Sequence, residues 1–162
     1  MWGDKIMQET EIKNLIKAWH ARSKRERDKI SKFVFLWFCF NAWLAYRSGE
    51  NKDREMVNSL KRRSGKVSDL VSRYDEALGS SWFKGKIEEL KRLSPIQDPR
   101  GRGAPVNIND VCNFGQICEA IYRIRCNLFH GGKTPTSNRD VKLVTVAGEI
   151  LEKWVGNLVG SW

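Results

Sequence analysis

A sustained alternation of apolar and polar residues is missing from this chain, and without one no half-buried strand is expected. The 162 residues also lack any C-x-x-C pair. Their four cysteines, Cys39, Cys112, Cys118 and Cys126, do not have the spacing of a common zinc finger or ribbon, and they read as reduced thiols of a cytosolic protein rather than as metal ligands. At the start, Met1-Trp2-Gly3-Asp4-Lys5 has no basic segment followed by an apolar one, so no secretory signal is expected and the compartment reads as cytoplasmic. No long apolar run is present either. Phe33 to Tyr46 comes nearest, but at about 1.5 Å per residue it reaches roughly 20 Å, short of a hydrocarbon core of about 30 Å, and Asn41 interrupts it. No membrane partner is expected. Acidic residues are in deficit, 19 Asp+Glu against 29 Lys+Arg, and the resulting formal charge of +10 attracts polyanions, of which nucleic acid and an anionic membrane surface are the obvious ones. Of the four prolines, three fall between positions 95 and 109 and mark a loop.

What the chain does have is helical periodicity. Ile12, Leu15, Ile16 and Trp19 sit at the spacing of an amphipathic helix running from about Thr10 to Ala21. Ser23-Lys24-Arg25-Glu26 matches a capping box and predicts a second helix from there to about Ser48-Gly49. The later half of that helix, Phe33 to Leu44, is apolar on nearly every face, which predicts the central element of the core. Asp53 is the expected cap of a third helical region, with one apolar patch at Met56, Val57 and Leu60, another at Val67, Leu70, Val71, Tyr74 and Leu78, and a break at Gly65 between them. Gly79-Ser80-Ser81 restarts a short helix carrying Phe83, Ile87 and Leu90, and Pro95 ends it. After a loop centred on Arg100-Gly101-Arg102-Gly103, Asn109 or Asp110 should cap a helix with the stripe Phe114, Ile117, Ile121, Ile124 and Leu128, and Gly131 fits its C′ position. Ser137 should cap the last helix, which turns Val141, Val144, Leu151, Val155 and Leu158 inward. The expectation is one all-α domain over residues 1–162, an up-and-down helical bundle with additional short helices.

The segment Arg125-Cys126-Asn127-Leu128-Phe129-His130-Gly131-Gly132-Lys133 carries the most chemistry. A guanidinium holds a phosphate by two parallel hydrogen bonds, and an imidazole moves a proton near neutral pH, which together supply what RNA cleavage needs. Because successive helical residues turn by about 100°, His130 faces away from the core stripe and shares its face with Arg123, Cys126 and Asn127. Arg125 stands about 140° away from it around an ideal helix, a gap that a long side chain, a distorted last turn or a partner subunit could close. A histidine in the last turn also lies near the negative end of the helix dipole, which favours its protonated form. Bland readings stand beside these: a histidine capping a helix end, and arginines on a solvated face. Lys24-Arg25, Lys61-Arg62-Arg63 and Arg100-Gly101-Arg102 would extend a basic track if they converge, and Trp2, Trp82 and Trp162 are candidates for base stacking. His20, beside Trp19, reads as structural or exposed.

The Arg-x4-His spacing with its glycine stop, at the end of a long helix in an all-α chain of this size, resembles the Arg-x4-6-His motif of the HEPN superfamily. Leu36-Trp37-Phe38-Cys39-Phe40-Asn41-Ala42-Trp43 is similar to the aromatic helix with an embedded polar residue found in some prokaryotic HEPN families. The resemblance implies a metal-independent endoribonuclease without a cofactor. Its site forms at a homodimer interface, with Arg125 and His130 of both subunits catalytic, in a toxin-antitoxin or phage-defence setting where an antitoxin protein is a further partner. Arg123, Asn127, Lys133, Cys126 and Asn41 are the candidates for support or phosphate binding. Where the family often has Asn, Asp or His directly after the arginine, this chain has Cys126, with Asn127 one place later. The alternative the resemblance carries is a catalytically silent module that binds RNA, a nucleotide or a protein.

Overall fold

The structure, a computed structural model, describes residues 2–98, 100–131 and 137–162, with the side chains of residues 2–7 and 130–131 outside that description. Seven α-helices are found among the described residues: α1 (Trp2–Arg25), α2 (Lys29–Ser48), α3 (Asp53–Lys61), α4 (Ser68–Ala77), α5 (Ser81–Leu93), α6 (Phe114–Gly131) and α7 (Asn138–Gly160). There is no strand among them, and a lone antiparallel bridge joins Ile96 to Val106 across the expected loop. Gly65 does mark the break between α3 and α4, as the first residue of a 3-10 turn over Gly65–Val67. No described helix is long and apolar enough to cross a membrane.

Four helix starts show how local chemistry sets the boundaries. Ser80 and Ser137 accept hydrogen bonds from the amides of Phe83 and Asp140, at 3.4 and 3.0 Å, and so cap α5 and α7 as the sequence predicts. The capping box expected at Ser23 does not form. Ser23 is buried inside α1, its hydroxyl donates to the His20 carbonyl at 2.6 Å, and Asp28 caps α2 instead by accepting from the Ser31 amide and hydroxyl. A buried serine satisfies itself on the preceding turn, whereas a carboxylate five residues on is free to meet the exposed amides. The start of α6 is also later than expected. Asn113 accepts from the Gln116 amide at 3.2 Å, while Gln116 reaches back to the amides of Asn109 and Asp110.

The apolar run in α2 does become the centre of the core, with Phe33, Leu36, Trp37, Phe40, Trp43 and Leu44 all buried. Around it, α1 runs antiparallel, joined by Tyr46 donating to Glu9 and by the Cys39 thiol on the Ile16 carbonyl. Phe40, Phe114 and Trp154 bring α2, α6 and α7 to one aromatic cluster, with Phe40 to Trp154 at 5.1 Å and edge-on. Tyr74 of α4 stacks on Phe114 at 4.4 Å, and its hydroxyl donates to the Val111 carbonyl, which fixes the approach to α6. Buried aromatics of this size supply much of the core's transfer energy, about 1.5–3 kcal/mol for each large side chain.

Candidate functional site

The helix that carries the Arg-x4-His segment is held at its N-terminal half by α3. Gly115 lies against the backbone of Lys61 so closely that a Cβ there would stand 2.6 Å from the Lys61 amide nitrogen and 2.7 Å from its Cα. Just above this crossing Glu119 receives both Lys61 and Arg54, the latter at 2.6 Å. Burial opposes ionisation of Glu119, but the hydrogen bonds from Lys61 and Arg54 outweigh it and hold the carboxyl below its usual range. α6 is therefore fixed in rotation before the candidate residues are reached.

Its regular winding continues through His130 and Gly131, so no distorted last turn brings Arg125 and His130 onto one face. Gly131, expected just beyond the helix, is its last residue. The Arg125 guanidinium lies 5.0 Å from the centre of the Phe129 ring and 5.7 Å from that of Tyr122, the aromatic residues one turn after and before it. Asp53, the first residue of α3, is 3.9 Å from its Nη1. The same nitrogen is 3.8 Å from the Cys126 sulfur, and Cys126 occupies the turn directly before His130. Arg125 thus lies between the Tyr122 and Phe129 rings on its own face of α6, with one terminal nitrogen within reach of Cys126. Its Nε is buried and has no hydrogen-bond partner among the described residues. Tyr122 is pushed well above its usual pKa by burial, by its contact with Cys126 and by Asp53, against the opposing charge of Arg125.

Arg123 and Asn127 share a face, as the helical phase predicts, yet that face is not open. The loop between α5 and α6 lies across it. Asn127 donates to the Gln97 carbonyl at 3.0 Å, and Arg123 donates to the Ala104 carbonyl at 3.4 Å. Arg123 Nη1 is buried without a hydrogen-bond partner among the described residues, while its Nη2 is engaged by the loop. In the same loop Asp98 accepts from the Arg100 amide and sits 3.4 Å from Arg102, and these contacts together with Arg123 hold its carboxyl below the usual range. Among the three basic groups of the sequence, it is Arg100-Gly101-Arg102 that comes to the C-terminal half of α6. Lys61 and Arg63 are committed to Glu119 and Asp75, and Lys24-Arg25 closes α1.

The other candidates divide in the same way. Asn41 is half-buried on α2, one turn from Trp37, whose ring packs 6.1 Å from that of Tyr122. Lys133 and the side chain of His130 lie outside the described residues. Trp162 is packed on Trp43 at 5.2 Å, Trp82 is half exposed under Lys86, and the Trp2 side chain is outside the description. His20 is buried, and that burial, helped by the charge of Lys24, lowers its pKa. Cys118 is buried in the core and Cys112 is exposed, and no group of three or more potential metal ligands occurs among the described side chains. The sequence reading did not include Asp53, Tyr122 and Phe129 in the site. The two aromatics stood at helical spacing from Arg125 and were legible; Asp53 comes from another helix and was not.

Set beside known proteins, the chain matches no family model, no curated protein and no solved structure.

Proposed function

We propose that this chain is a metal-independent endoribonuclease of the HEPN type, acting on single-stranded RNA in a toxin-antitoxin or phage-defence setting in the cytoplasm. The observation that supports it most is the arrangement of Arg125, stacked on Phe129 with one terminal nitrogen within reach of Cys126, so that a guanidinium whose Nε has no hydrogen-bond partner among the described residues lies near the helical position of His130. In this reading His130 takes the proton of a ribose 2′-OH and returns one to the leaving oxygen, while Arg125 stabilises the phosphorane; the product is a cyclic phosphate. Arg125 and His130 leave the helix about 140° apart, so two α6 helices facing each other across a homodimer would let the arginine of one serve the histidine of the other. Lys133 and Arg102 would add attraction for the phosphate backbone.

The second reading is a catalytically silent module that binds RNA, a nucleotide or a protein such as an antitoxin. It is favoured by the loop across Arg123 and Asn127, which occupies groups that a cleaving site would aim at phosphate. Incubation of the purified protein with end-labelled single-stranded RNA in EDTA, beside His130→Ala and Arg125→Ala, separates the two. Cleavage to cyclic-phosphate ends that both substitutions abolish is the expected outcome. If the unsubstituted protein binds the RNA but leaves it intact, or if His130→Ala cuts equally well, the nuclease reading fails.

A further inference from the structure

The loop between Ile96 and Val106 is firmly fastened at its base and lightly held at its tip. Ile96 and Val106 exchange two backbone hydrogen bonds, at 2.8 and 2.9 Å, and both side chains are buried, as is that of Ile108. Beyond this clasp the loop turns at Gly101, whose amide donates to the Asp98 carbonyl at 2.9 Å, and comes down on α6. There it is held by two exposed hydrogen bonds, from Asn127 to the Gln97 carbonyl and from Arg123 to the Ala104 carbonyl. Gly103 lies so near that a Cβ on it would stand 3.7 Å from Arg123 Nη2. Hydrogen bonds and ion pairs open to water each favour such a closed arrangement by no more than about tenfold, so the tip can lift while the clasp stays shut.

What the tip covers is a set of donors. Arg123 has a buried Nη1 without a hydrogen-bond partner among the described residues, Asn127 offers its side-chain amide, and Arg102 approaches from the loop itself. The acid placed beside them is Asp98, whose side chain is 19% exposed and lies 3.4 Å from Arg102. The Arg100 amide, with the charges of Arg102 and Arg123, holds its carboxyl below the usual range. The loop thus gives Arg123 a carbonyl to bond and a carboxylate to balance its charge. A phosphate supplies both at once, in the two-pronged geometry that suits a guanidinium.

We infer that the loop from Gln97 to Ala104 is an internal strap over a phosphate-binding face of α6, and that a phosphate group competes with it for Arg123, Asn127 and Arg102. The inference rests on the reading that this helix meets RNA, and it adds how access to the helix is regulated. With the strap down, Arg125 is the arginine of α6 left to an incoming anion; with it lifted, Arg123 and Asn127 join. A ligand that must first lift a strap binds more weakly in proportion to the time the strap is closed. Asp98 is then a brake on affinity, because its charge holds the place that the phosphate takes.

For the test, the isotopically labelled full chain is titrated with a single-stranded oligoribonucleotide, with inorganic phosphate and with a glutamate-rich peptide. The Asn127 side-chain amide resonance and amide exchange at residues 97–104 report the strap. Phosphate is expected to shift that resonance and to speed that exchange; RNA doing so marks a nucleic-acid backbone as the source, and inorganic phosphate alone marks a free phosphate compound. Asp98→Asn, which keeps an acceptor for the Arg100 amide, should tighten binding of whichever source lifts the strap by about tenfold, and the gain should shrink below about threefold when Arg123→Ala is added. RNA that binds while the strap stays closed overturns the strap and leaves the RNA reading standing, whereas inorganic phosphate that lifts the strap of a chain RNA does not bind does the reverse. The proposal is also overturned if neither source lifts the strap, if the peptide lifts it as well as they do, or if Arg123→Ala leaves the Asp98→Asn gain unchanged, since that gain is then one of net charge.

Discussion

The two halves of α6 differ in how firmly their side chains are held. From Phe114 to Ile121 the helix is stacked on Tyr74, pressed against the Lys61 backbone and charge-neutralised at Glu119. From Tyr122 to Phe129, Arg123 and Arg125 each keep a buried nitrogen without a hydrogen-bond partner among the described residues, and Phe129 is 48% exposed. The contrast teaches a division of labour within one helix. Firm packing at the first half sets the rotation, and the second half then carries two arginines of different standing, Arg123 held by the loop and Arg125 held only by ring faces and a long contact to Asp53.

The largest expected effect tests that division directly. Arg125→Ala should lower RNA cleavage by about 10²–10³, the range for removing one donor from a charge-stabilising site, whereas Arg123→Ala, whose guanidinium is spent on the loop, should change it less than about tenfold. Equal losses measured in single-turnover cleavage would erase the distinction between the two arginines. Next comes Gly115→Ala. The new methyl meets backbone atoms that cannot swing aside, so thermal unfolding should show a loss of about 1–3 kcal/mol.

A smaller effect, about 1 kcal/mol because the pairs are partly exposed, is expected for Glu119→Gln. The folded-state pKa of Glu119 is depressed, so its contribution is full above the ordinary glutamate value of about 4.3 and disappears as pH falls through the lower folded value. Melting curves of the two proteins should then differ at neutral pH and converge in acid; a constant gap would count against the ion pairs. Last, Asn127→Ala should cost less than about 1 kcal/mol, since it removes a single exposed hydrogen bond. It should nevertheless speed amide exchange at residues 97–104, while leaving residues 114–121 unchanged.

Much of the fold could be read in the chain because it rests on local chemistry. The all-helical class, the central run of α2, the break at Gly65 and the caps at Ser80 and Ser137 each depend on residues within a turn or two. The errors arose where burial decided. Ser23 looked like a cap but is inside a helix, and nothing within four residues said that its side would be covered. In the candidate site, the shared face of Arg123 and Asn127 follows from winding alone, while the strand of loop that lies over it, at Gln97 and Ala104, is a contact across more than fifteen positions. The setting of Arg125 falls between these cases: Tyr122 and Phe129 announce it at helical spacing, and Asp53 does not.

Arg139, in the first turn of α7, has a consequence for how the chain is threaded. One of its terminal nitrogens donates to the carbonyls of Leu93, at 2.6 Å, and Pro95, at 2.8 Å, so the end of α5 and the beginning of α7 are tied together. The loop and α6 therefore depart from α5 and rejoin the bundle at α7 beside one side chain, while α6 itself is packed into the shared core through Phe114, Ile117 and Ile121. A single guanidinium thus closes a stretch of chain spanning 46 positions, from Leu93 to Arg139.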